Sequence, residues 1–278
     1  MPELKTGAPL ARAVELDLKK TFECGQCFRW DADENGAYSG AACGKPLRIW
    51  ADAENVYCDA PESALPFWRT YFDLGADYDK NARPFTGPEY LRACYEFGKG
   101  IRILRQEPWE ALASFIISQC NNIPRIKKII SALCAAFGEA LPGGMFAFPP
   151  AERLAPLAPG DLAPLKSGYR AAYILNAARA VADGSLNFNA LRALPPEEAF
   201  LQVRQIRGVG DKVANCFMLY GLHSLDRFPV DVWMKRALAR HFPKDFDPKN
   251  LGPCAGLAQQ YIFYYARSGG RNNGFARA

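Results

Sequence analysis

Histidine is almost missing from this chain: His223 and His241 are its only two in 278 residues. A His-rich metal centre or a hydrolase triad therefore has little material to work with. No apolar run reaches the ~20 residues that a membrane-spanning helix needs. The start, Met1-Pro2-Glu3-Leu4-Lys5, has no secretory hydrophobic segment, and Leu16-Asp17-Leu18-Lys19-Lys20 follows within the same window. A cytoplasmic protein is the expectation. The nine cysteines, odd in number and scattered, argue against a disulfide framework as well. Internal repeats and low-complexity tracts are also wanting.

What is present is enough apolar material, 49% of the residues, to bury a full core in two or three subdomains. The net charge of +5 is unevenly placed. Residues 1–96 carry a net −5, with 11 Lys/Arg against 16 Asp/Glu, whereas residues 97–278 carry +10, with 23 against 13. A basic second part suits a phosphate backbone, although an ordinary solvated surface also looks like this.

Up to about residue 60 the pattern is strand-like. Phe28-Arg29-Trp30, Ala37-Tyr38-Ser39, Leu47-Arg48-Ile49-Trp50 and Val56-Tyr57-Cys58 are short aromatic or β-branched runs between turn-rich breaks. Residues 67–74 read as a helix and 77–84 as a linker. From Gly87 the pattern is helical. Ile123–Phe137 puts Ile126, Ile129, Ile130 and Leu133 on one face, with Pro124 in its first turn and Gly138 just past its end. Pro108–Ile117 precedes it, 168–182 and 195–205 follow, and 254–267 is the last helix, with a Gly/Asn/Arg tail expected to fray. The expected class is α+β: an N-terminal antiparallel β-sheet domain (1–96), then a two-part α-helical body (97–278).

One stretch organises the rest. The helical run Phe200, Val203, Ile206 stops at Gly208-Val209-Gly210, and a second helix starts at once with Lys212 in its first turn. Two glycines around one apolar residue permit a tight turn and close approach of a partner. The free N–H groups of the second helix then suit one phosphate. A further helix starts at Asp231, behind Pro229, so a carboxylate caps it near the same mouth.

Hairpin, Lys212 and Pro229-Val230-Asp231 together resemble the helix-hairpin-helix DNA glycosylases, with the motif at about 196–223. The hairpin alone also occurs in non-catalytic DNA-binding proteins; the lysine marks the bifunctional glycosylase/lyase branch. In that reading the Lys212 amine attacks the anomeric carbon as the base leaves, forming a Schiff base. Asp231 steadies the charge developing on the sugar. The alternatives are a phosphate-binding lysine and a plain N-cap, and an N-cap is compatible with catalysis.

The resemblance narrows to the 8-oxoguanine DNA glycosylases and covers most of the chain. Gly25-Gln26-Cys27-Phe28-Arg29-Trp30 is similar to the family's Gly-Gln-x-Phe-Arg-Trp segment, where the glycine carbonyl accepts from the N7–H that oxidised guanine has and guanine lacks. Gly25 would then discriminate the lesion. Cys120-Asn121-Asn122-Ile123-Pro124-Arg125 and Gly168-Tyr169-Arg170-Ala171 resemble the segments that fill the gap left by the flipped base and hold the orphaned cytosine. These imply Tyr169 as a wedge, Arg125 and Arg170 as donors to cytosine, and Asn121 beside them. Arg170 could equally anchor a phosphate. Gln259 and Phe263, four residues apart, resemble the base-pocket pair, with Cys216 on the opposite ring face. Two positions depart from the family: Cys120 stands where an asparagine is usual, and Trp233 where many relatives have histidine. The first implies relaxed preference for the opposite base, the second stacking in place of hydrogen bonding.

No metal or cofactor is expected. Cys24, Cys27, Cys43 and Cys58 have loosely zinc-like spacing, but the first pair brackets Gly25-Gln26 in a strand region. An iron–sulfur cluster of the endonuclease III type needs four cysteines after the aspartate, and only Cys254 follows here. Residues 40–45 mimic a phosphate loop but are one residue short. The expected partner is double-stranded DNA containing 8-oxoguanine, bound by a monomer of prokaryotic type, with no membrane role. A same-fold glycosylase for another damaged or mismatched base and a non-catalytic binding module are the rivals.

Overall fold

The computed structural model describes residues 7–269; the opening residues and the Gly/Asn/Arg tail lie outside them. Strands β1 (Ala8–Arg12), β2 (Trp30–Ala32), β3 (Tyr38–Ala42), β4 (Lys45–Ala51) and β5 (Asn55–Cys58) form one antiparallel sheet in the order β1-β5-β4-β3-β2. β3 and β4 meet through Cys43 and Gly44, both with positive φ, the geometry of a two-residue hairpin turn. The stretch 40–45 is therefore strand and turn.

The region before residue 30 also holds α1 (Leu18–Glu23), which the strand-like reading overlooked. Asp17 caps it, its carboxylate accepting from Lys20 N at 2.9 Å, and Leu18 and Phe22, four apart, turn inward. Phe22 stacks on Trp30 at 4.4 Å, and with Trp68 and Phe72 around α2 (Leu65–Tyr71) they make an aromatic core over the sheet.

A second core belongs to the helices. α3 (Tyr78–Ala82) falls in the stretch expected as a linker: Asp77 caps it through Lys80 N at 2.9 Å, and Tyr78 and Ala82 are buried. α3 and α4 (Glu89–Gly98) pack into this helical core, as do Cys24 and Phe28, so the two cores do not divide the chain at residue 96. At its centre lies α5 (Pro108–Ile117), buried on all sides from Ala111 to Ile117. α6 (Ile123–Phe137) follows, capped by Asn122. After it come a short hairpin of β6 (Ala140–Leu141) and β7 (Met145–Phe146), then α7 (Ala151–Leu154), α8 (Arg170–Ala182) and α9 (Phe188–Ala193). The helix-hairpin-helix is α10 (Pro196–Arg204) and α11 (Asp211–Gly221), and α11 packs along α5. α12 (Val232–His241) and α13 (Ala255–Tyr264) complete the body, with a π-helical turn, Tyr265–Gly269, extending α13.

The sheet and the helices are tied at Asp73, which is buried. Its carboxylate accepts from Arg105 Nε at 2.8 Å and the Tyr78 hydroxyl at 3.0 Å, and lies 3.4 Å from His223 Nε2 just beyond α11. No helix among the described residues is long and apolar enough to cross a membrane.

Candidate active site

The C-terminal end of α5, the loop into α6, the N-termini of α11 and α12, and the end of α13 surround a cleft of about 870 Å³. Lys212 and Asp231 both line it. The α11 start puts Lys212 against α5, where Nζ donates to Ser118 Oγ at 3.1 Å and lies 5.6 Å from the centre of the Phe115 ring. Lys212 also contacts the buried Cys216 sulfur, one turn along α11. Burial pushes the Cys216 thiol up, the Lys212 charge opposes this, and the Asp231 charge adds to it. All three side chains thus share one electrostatic environment.

Asp231 caps α12, with Oδ1 accepting from Met234 N at 2.9 Å. That bond leaves the second carboxylate oxygen unused, and Asp231 lines both the cleft and its inner cavity.

A narrow inner cavity of about 50 Å³ opens off the cleft, lined by Gly25, Lys212, Cys216, Asp231, Gln259 and Phe263 among others. Residues spread over the sequence from 25 to 263 therefore converge on one space. Gly25 sits at φ +85°, where a side chain would be strained, and a Cβ there would lie 3.3 Å from the Phe263 ring. Its loop is held by Gln26, fully buried, which donates to Thr21 O (2.9 Å) and Arg102 O (2.7 Å) and accepts from Leu104 N (2.9 Å). Cys24 O accepts from Gln260 Nε2 at 3.2 Å, while no described residue donates to the Gly25 carbonyl. Tyr220 separates the neighbouring glutamines: its hydroxyl binds Gln260 Oε1 at 2.6 Å and reaches Gln259 Oε1 only at 3.4 Å. Cys24 donates its thiol to Thr21 O, and burial pushes its pKa up to about 11.

A second group lies on the rim. Tyr169 is 52% exposed, with its hydroxyl in hydrogen-bonding contact with Cys120 and its ring under Arg170. Arg125 is exposed and donates to Lys166 O at 3.3 Å. Asn121 is turned into its own loop, bonding Ile117 O and Asn122 N. Arg170 is 4% exposed and donates to the carbonyls of Gln119, Cys120 and Ser167, which ties α8 to the loop carrying Cys120. Trp233 lines the cleft half-buried, with Arg236 5.6 Å from its ring centre.

At the hairpin, Gly208 has φ +99° and a Cβ there would overlap the Tyr173 ring. Gly208 O accepts from Gln119 Nε2 at 3.0 Å. Val209 is buried and its amide is committed to Ile206 O, which leaves Gly210 and the first turn of α11 to face an anion. Sequence reasoning missed Ser118 and Arg267, and gave Gln119, at the head of the Cys120 segment, no role. Ser118 adjoins that segment in the chain, and Arg267 continues the four-residue spacing of Gln259 and Phe263.

Comparison with known proteins gives the family. Residues 10–112 match the family described as 8-oxoguanine DNA glycosylase, N-terminal domain, and residues 113–250 match the HhH-GPD superfamily of base excision DNA repair proteins. An N-glycosylase/DNA lyase of Saccharomyces cerevisiae is 31% identical, over 86% of this chain and 71% of its own. One from Arabidopsis thaliana is also 31% identical, over 92% and 75%. The Clostridium acetobutylicum 8-oxoguanine glycosylase/lyase, solved with double-stranded DNA containing cytosine opposite 8-oxoguanine, superposes with a TM-score of 0.85 at 36% identity, over 93% of each chain. A 3-methyladenine glycosylase from Archaeoglobus fulgidus, at 17% identity and a TM-score of 0.72, shares the fold. The chain belongs to the 8-oxoguanine DNA glycosylase family of the HhH-GPD superfamily.

Proposed function

We propose that this protein excises 8-oxoguanine paired with cytosine from duplex DNA and then cleaves the abasic strand, as a monomer. The observation carrying this reading is the convergence of Lys212, Asp231 and Gly25 on one inner cavity. The Lys212 amine, held by Ser118, attacks C1′ as the bond to the base breaks. Asp231, anchored as the α12 cap, stabilises the cationic sugar. The resulting Schiff base permits β-elimination of the 3′ phosphate. Gly25 offers a carbonyl to the N7–H of the lesion, Phe263 and Cys216 cover the two faces of the base, and Gln259 takes its Watson–Crick edge.

Tyr169, exposed on the rim, suits the wedge that holds the stack open. Arg125 and Cys120 face the orphaned cytosine, and Gly210 with the α11 start takes a phosphate. The test is borohydride trapping on a duplex with one 8-oxoguanine opposite cytosine, for wild type, Lys212→Gln and Asp231→Asn. A covalent band requiring both the lesion and Lys212 is expected. Base release without any band would make the enzyme monofunctional and Lys212 a phosphate contact.

A further inference from the structure

Arg267, on the π-helical turn after α13, lines the cleft together with Gly25 and Phe263, which also line the inner cavity. One guanidinium nitrogen, Nη2, donates to the carbonyl of Glu23, which anchors the side chain beside the Gly25 loop. The guanidinium lies 5.4 Å from the Phe263 ring centre. The other nitrogen, Nη1, is buried, has no partner among the described residues, and lies 3.4 Å from where a Cβ of Gly25 would stand. A buried cationic donor left unpaired is costly, so this nitrogen is placed for an acceptor that arrives with a ligand.

The order along the helix identifies that acceptor. Gln259, Phe263 and Arg267 follow one another at four-residue steps, the first within α13 and the second running into the π-helical turn. On the reading of the site proposed above, Gln259 meets the Watson–Crick edge, Phe263 stacks on the rings, and Gly25 takes N7–H. Arg267 lines the outer cleft beside Gly25, whereas Gln259 lines the inner cavity, and the oxygen on C8, adjacent to N7 on the ring, falls on the Gly25 side. We propose that Arg267 Nη1 donates to that C8 oxygen and stabilises the departing base. As Lys212 nitrogen bonds to C1′, the C1′–N9 bond breaks and its electron pair passes to the base, shared between N9 and the C8 oxygen. A guanidinium at that oxygen stabilises the charge as it develops. The base then takes the proton that the newly bonded Lys212 nitrogen sheds. Unoxidised guanine has no oxygen there and gains nothing from Arg267.

The experiment compares wild type, R267K and R267M in single-turnover release of 8-oxoguanine opposite cytosine, and in cleavage of a preformed abasic site, which has no base to contact. R267M should slow base release on the order of 10²-fold, with R267K in between, and both should cleave the abasic duplex at the wild-type rate. In a Lys212→Gln background, R267M should weaken binding to the 8-oxoguanine duplex and leave binding to the guanine duplex unchanged. Equal slowing of both reactions would make Arg267 a merely structural residue. Equal weakening on both duplexes would move its contact away from C8, and unchanged base release would remove it from the reaction. Should wild type itself release no 8-oxoguanine, the reading of the whole site falls, and the assignment of Arg267 with it.

Discussion

Asp231 does two things with one carboxylate, and substitution can separate them. Asparagine caps a helix as well as aspartate, so Asp231→Asn should leave thermal unfolding within about 0.5 kcal/mol of wild type. Removal of the charge should still slow base excision by roughly 10²–10³-fold; an equal rate in single-turnover assays would reduce Asp231 to a cap. Gly25 permits a comparable separation. An alanine there meets both the positive φ and the Phe263 ring, so Gly25→Ala should lose lesion excision and keep cleavage of preformed abasic sites. Cys120 has φ +46°, a conformation in which asparagine is far more at home than cysteine. Cys120→Asn should therefore fold without strain and sharpen the preference for cytosine opposite the lesion. The same cleavage ratios across all four opposite bases, before and after, would remove Cys120 from that role.

Between residues and fold stand elements that hold the site in register. Gln119 is one such joint: its side chain bonds the hairpin at Gly208 O, and its own carbonyl accepts from Arg170 Nε at 2.8 Å. Gln119 thus ties the rim loop to both the hairpin and α8. Gly208 is the tightest point, because any side chain would overlap Tyr173. Gly208→Ala should cost about 1–3 kcal/mol by chemical denaturation and weaken DNA binding through the displaced α11 start. Binding unchanged at wild-type stability would show that the hairpin does not touch DNA.

For the molecule as a whole, the seam between sheet and helices carries its own pH dependence. Burial would raise the Asp73 carboxyl, but hydrogen bonding and charge from His223, together with Arg105, win and leave it below its ordinary value. A carboxyl lowered on folding stabilises the fold above its unfolded pKa of ~3.9. That stabilisation is lost as pH falls through the lower folded value. Stability should therefore drop steeply below about pH 4, and Asp73→Asn should flatten that limb while lowering stability at pH 7. An unaltered acid limb in Asp73→Asn, followed by circular dichroism, would place the titrating group elsewhere.

Read by itself, the sequence determined the class of fold, the borders of α5 and α6, and the hairpin with Lys212 and Asp231. Those features are local: apolar period, caps, glycines and one short turn, each set by neighbours in the chain. It left α1 and α3 unread, because one or two turns held by Asp17 and Asp77 have too few residues for a period to show. Gln259 could be picked out by its four-residue spacing to Phe263, but only tertiary structure shows Tyr220 and Cys24 engaging its neighbour Gln260. Tertiary structure also turned Arg170 inward to the carbonyls of Gln119 and Cys120, and left Arg267 Nη1 without a partner among the described residues, beside Gly25. Which donors are spent and which are free depends on carbonyls brought close from distant parts of the chain, and no spacing in the sequence records that.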